Sequence, residues 1–153
     1  MNKMEAIALR KSFENIGLQL LFADVGLFLG SKQHQKLSLE DRGTLSDLSD
    51  FIKSASTGLD LFSMRKQGRE EMMRLDEAIQ VERAFLAIKP ILPDDPAQAK
   101  TTLNELNDIC KKILSSEKRL NVERKKLHFC CRKFLSHLHQ EFFYLTNLQS
   151  AWP

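Results

Sequence analysis

A chain of 153 residues with 42% hydrophobic residues is long enough to bury one core and too short to expect two, which predicts a single domain over 1–153. Six Gly and four Pro are few for a β-rich or disordered protein, and this composition favours helices. The net charge of +3 is modest and conceals an uneven distribution of charge along the chain.

The first residues and the cysteines bear on the cellular compartment. Residues 1–10 alternate charged and apolar side chains and lack the basic region, apolar core and cleavage site of a secretory signal. Three cysteines, an odd number, cannot all pair within the chain. We therefore expect reduced thiols in a cytoplasmic protein. The longest apolar stretch, Ile16 to Leu29, is shorter than the roughly 20 apolar residues that a bilayer-spanning helix needs.

The first predicted helix covers residues 4–29. Its apolar residues recur in steps of four and three, which is typical of a helix with one buried face. Gly26 and Gly30 have the small-xxx-small spacing through which helices approach closely, and Gly30 is also placed to end the helix. The positions expected to be buried are Leu9, Phe13, Ile16, Leu20, Ala23 and Leu27.

The second helical block covers residues 39–88, and Ser38 with Asp41 resembles a capping arrangement at its start. It carries two apolar sets, of which the second is one residue out of phase with the first. This shift predicts a kink or a break near Gly68. The two sets are Leu45, Leu48, Ile52, Ala55, Leu59 and Phe62, and then Met72, Leu75, Ile79 and Leu86.

The third helix is predicted over 96–150, after a connector that contains Pro90 and Pro93. A four-three seam continues through this whole segment, which indicates one nearly continuous helix of roughly 80 Å. The seam positions are Ala99, Leu103, Leu106, Cys110, Ile113, Glu117, Leu120, Arg124, Leu127, Cys131, Phe134, Leu138, Glu141, Leu145, Leu148 and Trp152.

Together these segments predict an all-α fold, an elongated bundle built on a long antiparallel helical hairpin with a shorter N-terminal helix beside its open end. The first helix is too short to cover the distal part of the hairpin. That part should fold back at Gly68 or pair with a second molecule, and a homodimer is the simpler expectation. The alternative is a compact monomer of four or five shorter helices.

Four basic pairs recur every seven residues along the third predicted helix. Because seven residues make nearly two turns, the pairs align as a cationic stripe about 30 Å long on the solvent side. Residues 109–133 hold nine Lys and Arg against two Glu, a local balance of +7. The predicted binding face consists of Lys111, Lys112, Lys118, Arg119, Lys125, Lys126, Arg132 and Lys133.

This stripe suits an acidic protein, an anionic membrane surface or the phosphates of a nucleic acid, and it is also compatible with an ordinary solvated helix exterior. Phe129 is the only aromatic residue among 109–133, which argues against sequence-specific nucleic-acid recognition. We predict a non-enzymatic interaction or scaffold module that self-associates and binds an acidic protein or an anionic surface. An RNA-binding bundle and a peripheral membrane-binding bundle are the alternatives.

Reactive side chains are concentrated between His128 and His139, with Cys130 and Cys131 among them. Pairs spaced three or four apart could converge, but two ligands do not make a zinc site, and the chain has neither paired C-x-x-C units nor H-E-x-x-H. A Gly-rich phosphate loop and a G-x-S-x-G elbow are also missing. No catalytic residue, metal, cofactor or small-molecule substrate is therefore predicted.

One pattern points to a different function. Arg132 and His137 are separated by four residues, and His139 gives the version with six between. This resembles the motif of the HEPN family, helical bundles of about this size, many of which are dimeric ribonucleases in which Arg and His act at the dimer cleft. The resemblance covers these residues alone and implies RNA cleavage as the alternative activity. On a straight helix residues five apart point about 140° away from each other, so such a site requires the helix to begin or bend there.

Overall fold

The computed structural model describes residue 4 and residues 18–30, 36–68, 73–115 and 121–150, with side chains through residue 140. The predicted all-α bundle is confirmed, and no strand occurs in these described ranges. The predicted part of the first helix before residue 18 lies outside them, apart from Met4. The helices are α1 (18–30), α2 (Leu39–Lys66), α3 (Leu75–Ile88), α4 (Pro96–Ser115) and α5 (Asn121–Ser150), with a 3-10 turn at Lys89–Ile91.

Helix α2 has defined signals at both ends. The Ser38 hydroxyl accepts a hydrogen bond from the backbone N–H of Asp41 at 3.2 Å, which satisfies one of the free donors of the first turn. The helix ends at Lys66, and Gly68 follows with a φ of +70°, a conformation that glycine adopts without steric cost. Helix α3 packs against α2. The end of α2 lies where the phase shift predicts a break.

Helices α2 and α4 are antiparallel and are joined by polar contacts at three levels. The Arg42 guanidinium donates to the Leu114 carbonyl, the Ser49 hydroxyl donates to Asn107 Oδ1, and Lys100 Nζ lies 2.7 Å from Asp60 Oδ2. In these three contacts the residue number increases along α2 while that of its partner in α4 decreases. The two helices are therefore antiparallel, and α3 lies between them in the chain.

The single long helix predicted over 96–150 is wrong, because α4 and α5 are separate helices that pack against each other. The thiol of Cys110 in α4 lies within electrostatic reach of the Cys131 thiol in α5, whereas on one straight helix they would be about 30 Å apart. The seam keeps its phase on both sides of the connection. Periodicity therefore does not distinguish one long helix from two helices that face the same core.

Where side chains are described, the buried faces of α2, α4 and α5 are the predicted ones. The predicted seam positions outside that part of the chain are Glu117, Leu120, Glu141, Leu145, Leu148 and Trp152. Each of the three helices presents its four-three seam to the interior, and Phe62 is half-buried at the end of the α2 seam. The buried seam residues are Leu45, Leu48, Ile52, Ala55 and Leu59 on α2, Ala99, Leu103, Leu106, Cys110 and Ile113 on α4, and Arg124, Leu127, Cys131, Phe134 and Leu138 on α5.

The buried face predicted for α1 is wrong where the structure describes it. Leu20 and Leu27 are exposed, and Phe22 and Val25 are buried in their place. The segment is apolar on nearly every side, so its periodicity does not select one face. Packing selects Phe22, whose ring stacks on Phe134 of α5 with the centroids 3.9 Å apart.

Helix α3 also turns a different face to the core. Of the predicted positions, Met72 lies outside the described residues, and Leu75, Ile79 and Leu86 are exposed. Small residues and two large ones are buried instead. Small side chains let α3 lie close to α2, which physically explains the rotation. The homodimer was expected because the first helix is too short to cover the distal part of the hairpin. In the structure α3 packs on α2, so that reason no longer applies. The buried residues of α3 are Ala78, Ala84, Phe85, Ala87 and Ile88.

No helix in the described part of the chain is both long enough and apolar enough to cross a membrane.

Candidate functional site

The outward face of α5 carries two large apolar side chains. Val122 is 61% exposed and Phe129 is 72% exposed, although both belong to a helix whose opposite face is fully buried. Their seven-residue spacing places them nearly in line and about 10 Å apart along the helix axis. Single exposed apolar residues are common on protein surfaces, but these two lie in one row on the outer face of α5.

Four cations flank this apolar pair. At about 100° per residue, Lys125 and Arg132 lie on one side of Phe129, and Lys126 and Lys133 lie on the other. All four side chains are exposed. We call these six residues, Val122, Lys125, Lys126, Phe129, Arg132 and Lys133, the α5 outer face.

The structure does not arrange the predicted basic residues as one straight stripe. Lys111 and Lys112 are exposed but lie on α4, a separate helix. Lys118 and Arg119 lie outside the described residues. The four pairs therefore do not form a single 30 Å track along one helix, and the described cationic surface is centred on α5.

The predicted binding face omits Val122 and Phe129, although the sequence carries a signal for both. In a seven-residue repeat whose seam contains Arg124 and Leu127, the position farthest from the seam is held by Val122 and Phe129, and the basic pairs stand on either side of it. Assigning every large apolar residue to the core conceals this outermost row.

Arg124 is a further cation of α5, and it lies in the buried seam with only 4% exposure. Desolvation lowers the pKa of its guanidinium.

The three thiols lie near one another and have low reactivity. Burial raises the pKa of Cys110 to about 12 and that of Cys130 to about 11, and it raises the pKa of Cys131 as well. Thiols with such values are protonated at neutral pH and are poor nucleophiles. Among the described residues, no group of three His, Cys, Asp or Glu side chains could hold a metal ion.

His128 and His139 take part in the contact between α1 and α5. His128 Nδ1 donates to the Gly26 carbonyl oxygen at 2.8 Å, and a Cβ at Gly30 would lie 3.1 Å from His128 Cε1. The small-xxx-small spacing of α1 thus accommodates an imidazole ring. The Gln19 amide donates to the His139 ring, with its nitrogen 3.2 Å from Nε2.

Arg132 and His137 lie on one uninterrupted helix, so they point about 140° apart. A single copy of the chain does not bring them together. The structure therefore gives no catalytic arrangement to this pair within one molecule.

A second surface is a groove of about 710 Å³ between α1, α2 and α3. Its apolar lining includes Ile79 and Leu86, which are 42% and 41% exposed. Three exposed carboxylates and one Arg stand at its rim: Asp47, Asp50, Asp76 and Arg83. We call it the α1–α3 groove.

Comparisons with protein-family models, curated proteins and solved structures find no match for this chain. Function is therefore inferred from the chemistry of the two exposed surfaces.

Proposed function

We propose that this protein is a non-enzymatic interaction module that binds an acidic, partly apolar segment of a partner protein through the α5 outer face. The observation that carries the proposal is the exposure of Val122 and Phe129 between two rows of cations. A purely solvated helix exterior has no need of these two apolar side chains.

The two kinds of side chain have different roles in such a contact. Phe129 would supply most of the affinity, because a buried aromatic anchor at the centre of an interface usually dominates the binding energy. The flanking cations would orient the partner and accelerate its association, as charges at an interface rim do. A partner helix with apolar residues seven apart and acidic residues on both sides matches this arrangement.

The basic character also suits an anionic membrane or RNA, and both serve as arms of the test. Membrane binding would insert Val122 and Phe129 between lipid headgroups. RNA binding would stack a base on Phe129, but one aromatic residue is a small platform for a single strand. The paired apolar row favours a protein partner.

The test compares two variants that each remove four positive charges. In the first, Lys125, Lys126, Arg132 and Lys133 become Gln. In the matched control, four exposed lysines elsewhere become Gln: Lys36, Lys53, Lys66 and Lys89. Helical circular dichroism establishes that both are folded. The probes are an acidic amphipathic helical peptide, vesicles rich in anionic phospholipid, and single-stranded RNA.

We expect the wild type and the control to bind the peptide with an affinity that falls as salt rises, and the first variant to lose binding. Equal binding by the wild type, the variant and the control would overturn the proposal. A wild type that does not bind the peptide would overturn it as well. Preference for vesicles or RNA would assign one of those partners instead. RNA cleavage that disappears in His137→Ala would favour the HEPN-like alternative.

A further inference from the structure

The α1–α3 groove and the α5 outer face are complementary in two respects. The groove is apolar inside, with Ile79 and Leu86 half-exposed. Its lining also holds Asp47, Asp50 and Arg83, and Asp76, which forms an ion pair with Arg74. The α5 outer face is apolar along its centre and has four cations at its sides. Apolar surface would meet apolar surface, and carboxylates would meet ammonium and guanidinium groups.

The two surfaces cannot meet within one molecule. The inward face of α5 packs on α1, where Phe134 stacks on Phe22 and Cys131 lies beside Gly26. The outer face, which contains Phe129, is on the opposite side of the same helix. Contact with a groove requires another copy of the chain.

We propose that the α1–α3 groove of one copy receives the α5 outer face of a second copy. Phe129 enters the apolar interior between Ile79 and Leu86, while Asp47 and Asp50 face the basic residues that flank it. The inference rests on the proposed function, because it names an acidic, partly apolar partner for the same face. It also assigns a binding role to the groove.

The contact joins two different surfaces and is therefore heterologous. After one contact forms, each molecule still has one groove or one outer face available, so association continues until a ring closes. The average mass should rise with protein concentration and fall with salt, because the rim charges are exposed and screened.

The test is a charge exchange between two variants, followed by sedimentation velocity. The face variant carries Lys125→Glu and Lys126→Glu, and the groove variant carries Asp47→Lys and Asp50→Lys. All four positions are exposed, so both variants should fold, which circular dichroism checks. Each variant alone sets like charges against each other, and its self-association should weaken by about tenfold or more.

A mixture of the two variants restores opposite charges, because the glutamates of the face variant can meet the lysines of the groove variant. We expect the mixture to associate although neither variant does so alone. A wild type that stays monomeric throughout the micromolar range overturns the inference. So does a mixture that fails to associate, or a groove variant whose mass distribution equals that of the wild type.

This outcome is separable from the proposed function, because the groove variant keeps an intact α5 outer face. If that variant binds the acidic peptide while the wild type does not self-associate, the groove inference fails and the proposed function stands. If neither the groove variant nor the wild type binds the peptide, the proposed function fails as well.

Discussion

Gly58 of α2 lies directly against the backbone of Val81 in α3. A Cβ built on Gly58 would overlap the Val81 carbonyl oxygen and would lie 2.9 Å from Phe85 Cβ. Backbone atoms cannot move aside as a flexible side chain can. We predict that Gly58→Ala forces α3 away from α2 and lowers the free energy of unfolding by about 1–3 kcal/mol, measured by chemical denaturation.

Gly43 provides the matched control on the same helix. It is exposed, and a Cβ built on it meets nothing within 4 Å. Gly43→Ala should stabilise the protein by about 0.5–1 kcal/mol, because alanine is the better helix former. If both substitutions stabilise the protein, the close approach of α2 and α3 at Gly58 is incorrect.

Gly68 tests the left-handed turn that follows the end of α2. Its φ of +70° is unfavourable for a residue with a Cβ, and a Cβ there meets no neighbour. Gly68→Ala should therefore cost about 1–2 kcal/mol of unfolding free energy through backbone strain alone. Gly68→Asn should cost less, since asparagine tolerates the left-handed region. An alanine variant as stable as the wild type would contradict the left-handed turn.

Arg42 satisfies a backbone carbonyl at the end of α4. Its Nη1 donates to the Leu114 carbonyl oxygen at 2.6 Å, and that carbonyl belongs to the last turn, where helical partners are missing. The positive charge also lies at the negative end of the helix dipole. Arg42→Met should lower the free energy of unfolding by about 1–2 kcal/mol, and Arg42→Lys should lower it less. Equal losses in the two variants would show that charge is irrelevant at this position.

The buried thiols predict how stability depends on alkaline pH. In the folded protein burial raises the pKa of Cys110 from 9.0 to about 12, that of Cys130 from 9.0 to about 11, and that of Cys131 as well. Their contribution is complete below about pH 9, where both states are protonated. It is lost as pH rises toward 11 and 12, because unfolding releases thiol protons. The loss is on the order of 1 kcal/mol per thiol and pH unit in that window.

Urea unfolding of the wild type and of a Cys110→Ala, Cys131→Ala variant at several pH values checks this. Lysine and tyrosine titrations occur in both proteins, so the difference in slope reports the two deleted thiols. We expect the variant to be less stable at neutral pH and to lose less stability above pH 9. Parallel pH profiles would show that Cys110 and Cys131 are not buried as described.

The sequence predicts the buried faces of α2, α4 and α5 well in the described residues, because polar and charged residues occupy most of their other positions. It fails for α1, where the apolar residues surround the helix and only packing against Phe134 selects Phe22 for the core. It fails again for α3, where the decisive feature is the close approach at Gly58, a contact far away in the chain.

The candidate site was predictable in part. The seven-residue recurrence of basic pairs correctly places Lys125, Lys126, Arg132 and Lys133 on an exposed face. The same recurrence wrongly extends that face along a single helix, since an in-phase seam also results when the chain reverses between α4 and α5. Phe129 emerges as part of the site only when its exposure is known.

The central claim is that the α5 outer face is the binding surface, and amide chemical-shift mapping tests it most directly. Isotope-labelled protein is titrated with the acidic amphipathic peptide, and the same titration is made with Phe129→Ser. We predict the largest shifts on α5 around Phe129 in the wild type and at least about tenfold weaker binding in the variant. Shifts confined to α2 and α3, or unchanged affinity in Phe129→Ser, would contradict the claim.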